Sequence, residues 1–173
     1  VVGVDPPGGA VECGIVVAGV ARQNGQLHGY VLEDRSIRAS PDVWAGEVLA
    51  AYNHHRADRV IGEANYGGDM VEATIRQAAR SRGQEVSYRA VQATRGKAVR
   101  AEPVVALFEQ GRIGLVGTFP LLEEELTGWV PGAGGPSPNR LDAAVWALTE
   151  LMVHGGGIMA VTAERKASLW REG

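Results

Sequence analysis

Three short apolar runs within the first 33 residues, separated by turn signals, constrain this chain more than any other feature. Val1 to Asp5 (VVGVD) is stopped by Pro6-Pro7-Gly8-Gly9. Gly14 to Ala21 (GIVVAGVA) is rich in β-branched side chains, which suit a pleated backbone. Asn24-Gly25 follows, the dipeptide that best tolerates the left-handed backbone of a two-residue hairpin turn, and Leu27 to Glu33 comes directly after it. The pattern predicts a three-strand meander at the N-terminus.

Helix and strand signals then alternate. Ser40-Pro41 supplies an N-cap and a first-turn proline, with Trp44, Val48, Ala51 and Tyr52 at helical spacing behind it. Arg59 to Glu63 reads as a strand ending in Asn65-Tyr66-Gly67-Gly68, and a helix over Met70 to Arg82 starts after Asp69. Val86 to Val91 reads as a strand, Lys97 to Gly111 as a helix carrying Pro103, and 113–116 as a short strand. Pro120 to Trp129 and Asn139 to Val153 read as helices on either side of a Pro/Gly loop at 131–138. Antiparallel strands followed by alternating helices and strands predict an α/β fold, a mixed sheet with helices on both faces. The expected division is one domain over 1–153 and a C-terminal tail over 154–173, which shows no pattern that assigns it a structure.

Composition narrows the function classes. Of 173 residues, 45% are hydrophobic and 21% charged, enough apolar surface to form a core and too much for a disordered chain. The longest apolar run, Gly14 to Ala21, ends at Arg22, far short of the roughly 18–20 residues of a membrane helix, so no membrane role is expected. The opening VVGVDPPGG has neither an initiator Met nor a basic leader, so the expectation is a piece of a longer, non-exported protein. A single cysteine, Cys13, excludes an internal disulfide and a cysteine-rich zinc site and suits a reducing compartment. A net charge of −3 is not that of a strongly basic nucleic-acid binder, so any DNA contact must be local or assisted.

Among twenty acidic residues, the informative ones sit where a solvated charge does not belong. Asp5 ends a strand whose other residues are Val and Gly, and Glu63 ends Val60-Ile61-Gly62. If those strands are parallel neighbours, both acids face the crevice at the sheet's C-terminal edge. Asp5 also fits an Asx turn before Pro6. Asp142 lies in SPNRLDAAVW, three and four residues before Val145 and Trp146, on the border of the apolar stripe 141, 145, 148, 152. It equally fits a capping box with Asn139 as N-cap. Asp69, with Glu72 three residues on, reads as a helix cap first, and Glu123-Glu124-Glu125 as a solvated face. Three carboxylates without His or Cys form a hard, all-oxygen site suited to Mg²⁺ or Mn²⁺. Two such ions roughly 3.5–4 Å apart can activate water and stabilise the leaving oxygen of a phosphodiester. Mutual repulsion predicts that the empty site is strained or partly protonated, and that metal stabilises the fold.

Lysine occurs twice, at 97 and 166, against fifteen arginines. Arg89, Arg95, Lys97 and Arg100 form a local basic segment suited to phosphate contacts, or a solvated helix start, with Gly96 allowing close backbone approach. It is not a phosphate-binding loop of the Walker type, because Val91 and Ala98 stand where Gly and Ser or Thr are required. His54-His55, adjacent on a helix, are expected to point apart as structural residues.

With these residues assembled, four blocks resemble the nuclease domain of phage terminase large subunits, within the ribonuclease H-like superfamily. They are VVGVDP (1–6), VIGEANYGGDMV (60–71), TRGKAVRAEPVVALFEQGRI (94–113) and SPNRLDAAVWALTEL (137–151). The resemblance implies a mixed five-stranded sheet of three antiparallel strands with parallel strands added. It implies that Asp5, Glu63 and Asp142 bind two Mg²⁺ or Mn²⁺ ions and cut double-stranded DNA with low sequence specificity during genome packaging. Lys97 matches the family's basic position near the site, catalytic in the sense of steadying a phosphate, with Arg95, Arg100 and Arg140 alongside it as DNA contacts. The implied partners are an ATPase motor domain absent from this chain, a portal and a small terminase subunit, in the host cytoplasm. A Holliday-junction resolvase of the same fold, a nucleotide-binding domain of the actin type and a non-catalytic docking module are the rivals. The actin type needs a duplicated half, and the chain has no internal repeat.

Overall fold

The Asn24-Gly25 turn takes the conformation its residues favour: φ is +51° at Asn24 and +79° at Gly25, the left-handed pair that matches the twist of a two-residue hairpin. It joins β2 (Gly14–Gln23) to β3 (Gln26–Asp34), and β1 (Val2–Asp5) pairs antiparallel with β2. The computed structural model describes residues 1–6, 12–64, 68–92, 96–130 and 138–154, without the side chains of Gly68 and Asp69. The expected turns at Pro7–Gly9 and 65–67, Arg95, the loop 131–137 and the tail from 155 lie outside the described residues.

Three parallel strands extend the meander. β4 (Val60–Glu63) lies beside β1, β5 (Tyr88–Val91) beside β4, and β6 (Ile113–Leu115) beside β3, giving the order β5-β4-β1-β2-β3-β6. The sheet is therefore mixed as expected, with β6 as a sixth strand at the edge. Helices α1 (Pro41–His54) and α2 (Gly68–Ser81) cover one face, burying Trp44, Val48, Leu49 and Ile75 against Val2, Val4 and Val60. Helices α3 (Lys97–Glu109), α4 (Pro120–Gly128) and α5 (Asn139–Leu148) cover the other, with Val104, Leu122, Ala144 and Leu148 packed on Val16, Val31 and Ile61. None of these helices is long and apolar enough to cross a membrane.

Helix α5 sets the site. Every residue from Asn139 to Leu148 is buried, so it is a core helix rather than an amphipathic one with Asp142 at a stripe's border. It approaches the sheet closely because Gly3 and Gly14 present no side chain. A β-carbon on Gly3 would collide with the Ala143 carbonyl oxygen, and one on Gly14 with that of Asn139. After Leu148 the backbone widens into a π-helical turn over Thr149–Val153.

Two local readings are corrected here. The rings of His54 and His55 do not point apart: their centroids lie 4.8 Å apart at 88°. His54 ends α1 and His55 lies beyond it as the C-cap, so helical spacing no longer separates them, and His55 Nε2 meets Glu33 at 2.7 Å. Asp69 lies inside the first turn of α2, which begins at Gly68, so it is not the residue preceding the helix.

Candidate metal centre

Strand alternation brings two of the three carboxylates to one face. Val2 and Val4 point towards α1 and α2, so Gly3 and Asp5 face α5; Ile61 packs on the α5 side, and Glu63 shares its parity. The parallel register Val4↔Gly62 carries on to set Asp5 beside Glu63 at the C-terminal ends of β1 and β4. Asp142, in the first turn of α5, immediately precedes Ala143, the residue that rests on Gly3.

Asp142 is not part of a capping box. Its helix has Pro138 at the N-cap, and Asn139 is the first helical residue, its side-chain amide donating to the Glu12 carbonyl. Asp142 instead pairs with the Lys97 ammonium, and its second oxygen lies 3.9 Å from Arg100 Nη2. Arg100 Nη1 reaches Glu63 Oε2 at 3.3 Å. Lys97 and Arg100 stand three apart on the first turns of α3 and so share a helix face. Arg100, expected as a DNA contact, thus reaches into the site between these acids; its guanidinium lies 4.5 Å from the centre of the Trp146 ring.

Asp5 differs from the other two. It is 9% exposed, and no ion pair reaches it among the described residues. Burial, and after it the Asp142 carboxylate, push the Asp5 carboxyl up to about 8, with Glu63 adding repulsion and Lys97 and Arg100 opposing it. Burial also lifts Asp142 above the usual carboxylate range, against the pull of Lys97 and Arg100. The three acids therefore share one field.

Among the described residues no three His, Cys, Asp or Glu side chains converge closely enough to form a ready ligand set. Cationic side chains stand between the carboxylates instead. The donor chemistry nonetheless suits a hard divalent cation: oxygens only, from two strand ends and one helix start, with one buried carboxyl that no ion pair reaches among the described residues.

Arg140, expected to contact DNA, is turned inward. It is 6% exposed, its Nε lies 3.0 Å from Asp34 Oδ2, and its other arm meets Glu12. A run such as SPNRLD looks the same whether its arginine points to solvent or to the core, which is why sequence reading missed this. The acidic run at 123–125 is also not a uniform solvated face. Glu123 accepts the Phe119 N–H at 2.6 Å at the start of α4, and Glu125 accepts the Leu141 N–H at 2.9 Å, acting as a cap for α5. Arg89, in the expected basic segment, pairs with Glu150 at 2.8 Å, as does Arg59 at 3.1 Å. Glu150 lies in the π-helical turn and is 1% exposed.

Residues 2–152 match the family described as the Terminase RNaseH-like domain. The chain belongs to that family. No curated protein matches it. Among solved structures, RuvC from Thermus thermophilus superposes with a TM-score of 0.56 and 22% identity, covering 90% of this chain and 95% of that one. That likeness shows a shared ribonuclease H-like fold.

Proposed function

From this family membership we propose that the chain is a divalent-metal-dependent endonuclease domain of a viral DNA-packaging terminase, cutting double-stranded DNA with low sequence specificity. The observation that carries the reading is Asp5: a buried carboxyl that no ion pair reaches among the described residues, at a strand end beside Glu63 and repelled by Asp142. Burial and the neighbouring carboxylates keep this group protonated up to about pH 8, and a bound cation would take the place of that proton. Asp5, Glu63 and Asp142 would hold two Mg²⁺ or Mn²⁺ ions. When bound, these supply Lewis-acid stabilisation of the phosphate and a more acidic attacking water.

The chain's own groups have distinct tasks in this reading. Asp5 and Glu63 fix oxygen ligands on the rigid edge of the sheet, and Asp142 adds one from α5. Lys97, on Asp142, carries a positive charge at the place where charge builds on the phosphate. Arg95, with Lys97, is the proposed DNA-binding element. The net charge of −3 gives the domain little general attraction for DNA, so delivery falls to an ATPase motor, portal and small terminase subunit in the host cytoplasm. Residues 154–173 would form a C-terminal tail.

The test is incubation of supercoiled plasmid with Mn²⁺ or Mg²⁺, with and without chelator, for the parent, Asp5→Asn and Asp142→Asn. Expected are nicked and linear products from the parent only, abolished by chelator. Cutting that resists chelator, or an Asp5→Asn variant as active as the parent, would falsify the reading. A complete lack of metal-dependent cutting would favour a docking module.

A further inference from the structure

We propose that Arg100, held on the Trp146 ring, is a built-in counter-ion that occupies the metal centre until a divalent cation displaces it. The inference rests on the metal-binding reading above and adds a residue that acts on the metal's affinity as a positioning residue, not as a ligand.

Three observations point the same way. Arg100 Nη1 and Nη2 lie 3.3 Å from Glu63 and 3.9 Å from Asp142, so one guanidinium spans acids carried by β4 and by α5. Its planar cation lies 4.5 Å from the Trp146 ring centre, a platform that holds the charge in place without neutralising it. Trp146 is 7% exposed and follows Asp142 by four residues on α5, so carboxylate and ring lie on one face of that helix. The indole N–H has no acceptor among the described residues, so what Trp146 offers here is its ring face.

Carboxylates drawn together from three elements repel one another, and a chain that must fold before acquiring metal needs an internal cation to offset that repulsion. A cation placed there must also oppose the entry of a second one. Deleting Arg100 should therefore weaken the metal-free fold and tighten metal binding. A residue with only a structural role does the reverse, because disorder among the ligands weakens binding.

The experiment is calorimetric titration of the full 173-residue chain with Mn²⁺ alone at pH 8, together with melting of the metal-free protein. Arg100→Gln is expected to bind Mn²⁺ about tenfold more tightly than the parent while melting at a lower temperature without metal. Arg100→Lys, which keeps the charge, should return to within about twofold of the parent affinity. Should Arg100→Gln fail to fold, Trp146→Leu, which loosens the guanidinium without removing it, should still bind about threefold more tightly. Unchanged or weaker Mn²⁺ binding in the folded variant, or no recovery in Arg100→Lys, overturns the inference and leaves the nuclease reading in place. A parent that takes up no Mn²⁺ overturns both.

Discussion

The carbonyl oxygen of Ala143 stands where a β-carbon on Gly3 would have to sit. Strand β1 and helix α5 therefore meet backbone to backbone, with the Ala147 methyl completing the contact. Two residues beyond Gly3 is Asp5, and one residue before Ala143 is Asp142, so this approach sets how near those two carboxylates lie. Gly3→Ala must push α5 off the sheet. The expected cost is about 2–4 kcal/mol of stability, with plasmid nicking down roughly a hundredfold as Asp142 shifts by a fraction of its contact distance. Thermal melting and cleavage assays check this; a folded variant that cuts at the parental rate would show that the spacing is not critical.

Asp5 gives the metal-free protein a pH dependence of definite sign. Unfolded, it ionises near pH 4; folded, at about 8. Between those values the native state holds the extra proton, so stability falls as pH rises from 4 to 8. Asp142 and Glu125, both raised by burial, act in the same direction. The metal-free chain should melt higher at pH 5 than at pH 8, and Asp5→Asn should flatten the slope and add about 2 kcal/mol at pH 8.

Metal should reverse that penalty. At about a hundred times its dissociation constant, a ligand specific to the native state contributes about 2.7 kcal/mol. Mn²⁺ is expected to raise the parent's melting temperature, and to leave that of Asp5→Asn nearly unchanged. A parent whose melting is indifferent to both Mn²⁺ and chelator would contradict the proposed metal centre.

Arg140 and Lys97 should separate cleanly in binding assays. Removing the buried Arg140 strands Glu12 and Asp34, so Arg140→Met should lose about 3 kcal/mol of stability while leaving the salt dependence of DNA binding unchanged. Lys97→Ala should lower the slope of that salt dependence by about 1. A reduced slope in Arg140→Met would instead place that guanidinium on the DNA.

Glu150 holds Arg59 and Arg89 far along α5 from Asp142, past the end of the regular helix. Glu150→Gln removes a buried charge from between two cations. It should cost about 3 kcal/mol, yet below its melting temperature the variant should cut plasmid at the parental rate per folded molecule.

Much of the scaffold was legible in the residues because its signals are local. Asn24-Gly25 encodes its turn, β-branched runs encode β1 and β2, and the short apolar runs VVGVD and VIGE put Asp5 and Glu63 on strand ends without knowledge of the rest of the chain. Side-chain partners are a different matter. Lys97 and Arg100 read as a basic segment suited to phosphate contacts, Arg140 as a DNA contact and Glu125 as part of a solvated face, but each meets a charge or an N–H supplied by another element. Pairings of that kind depend on the approach of α5 to β1 and of α3 to α5, and that is decided by how glycines, alanines and one tryptophan fill space between layers. Periodicity along a chain reports which face a residue occupies; only packing across the chain determines which opposite charge waits there.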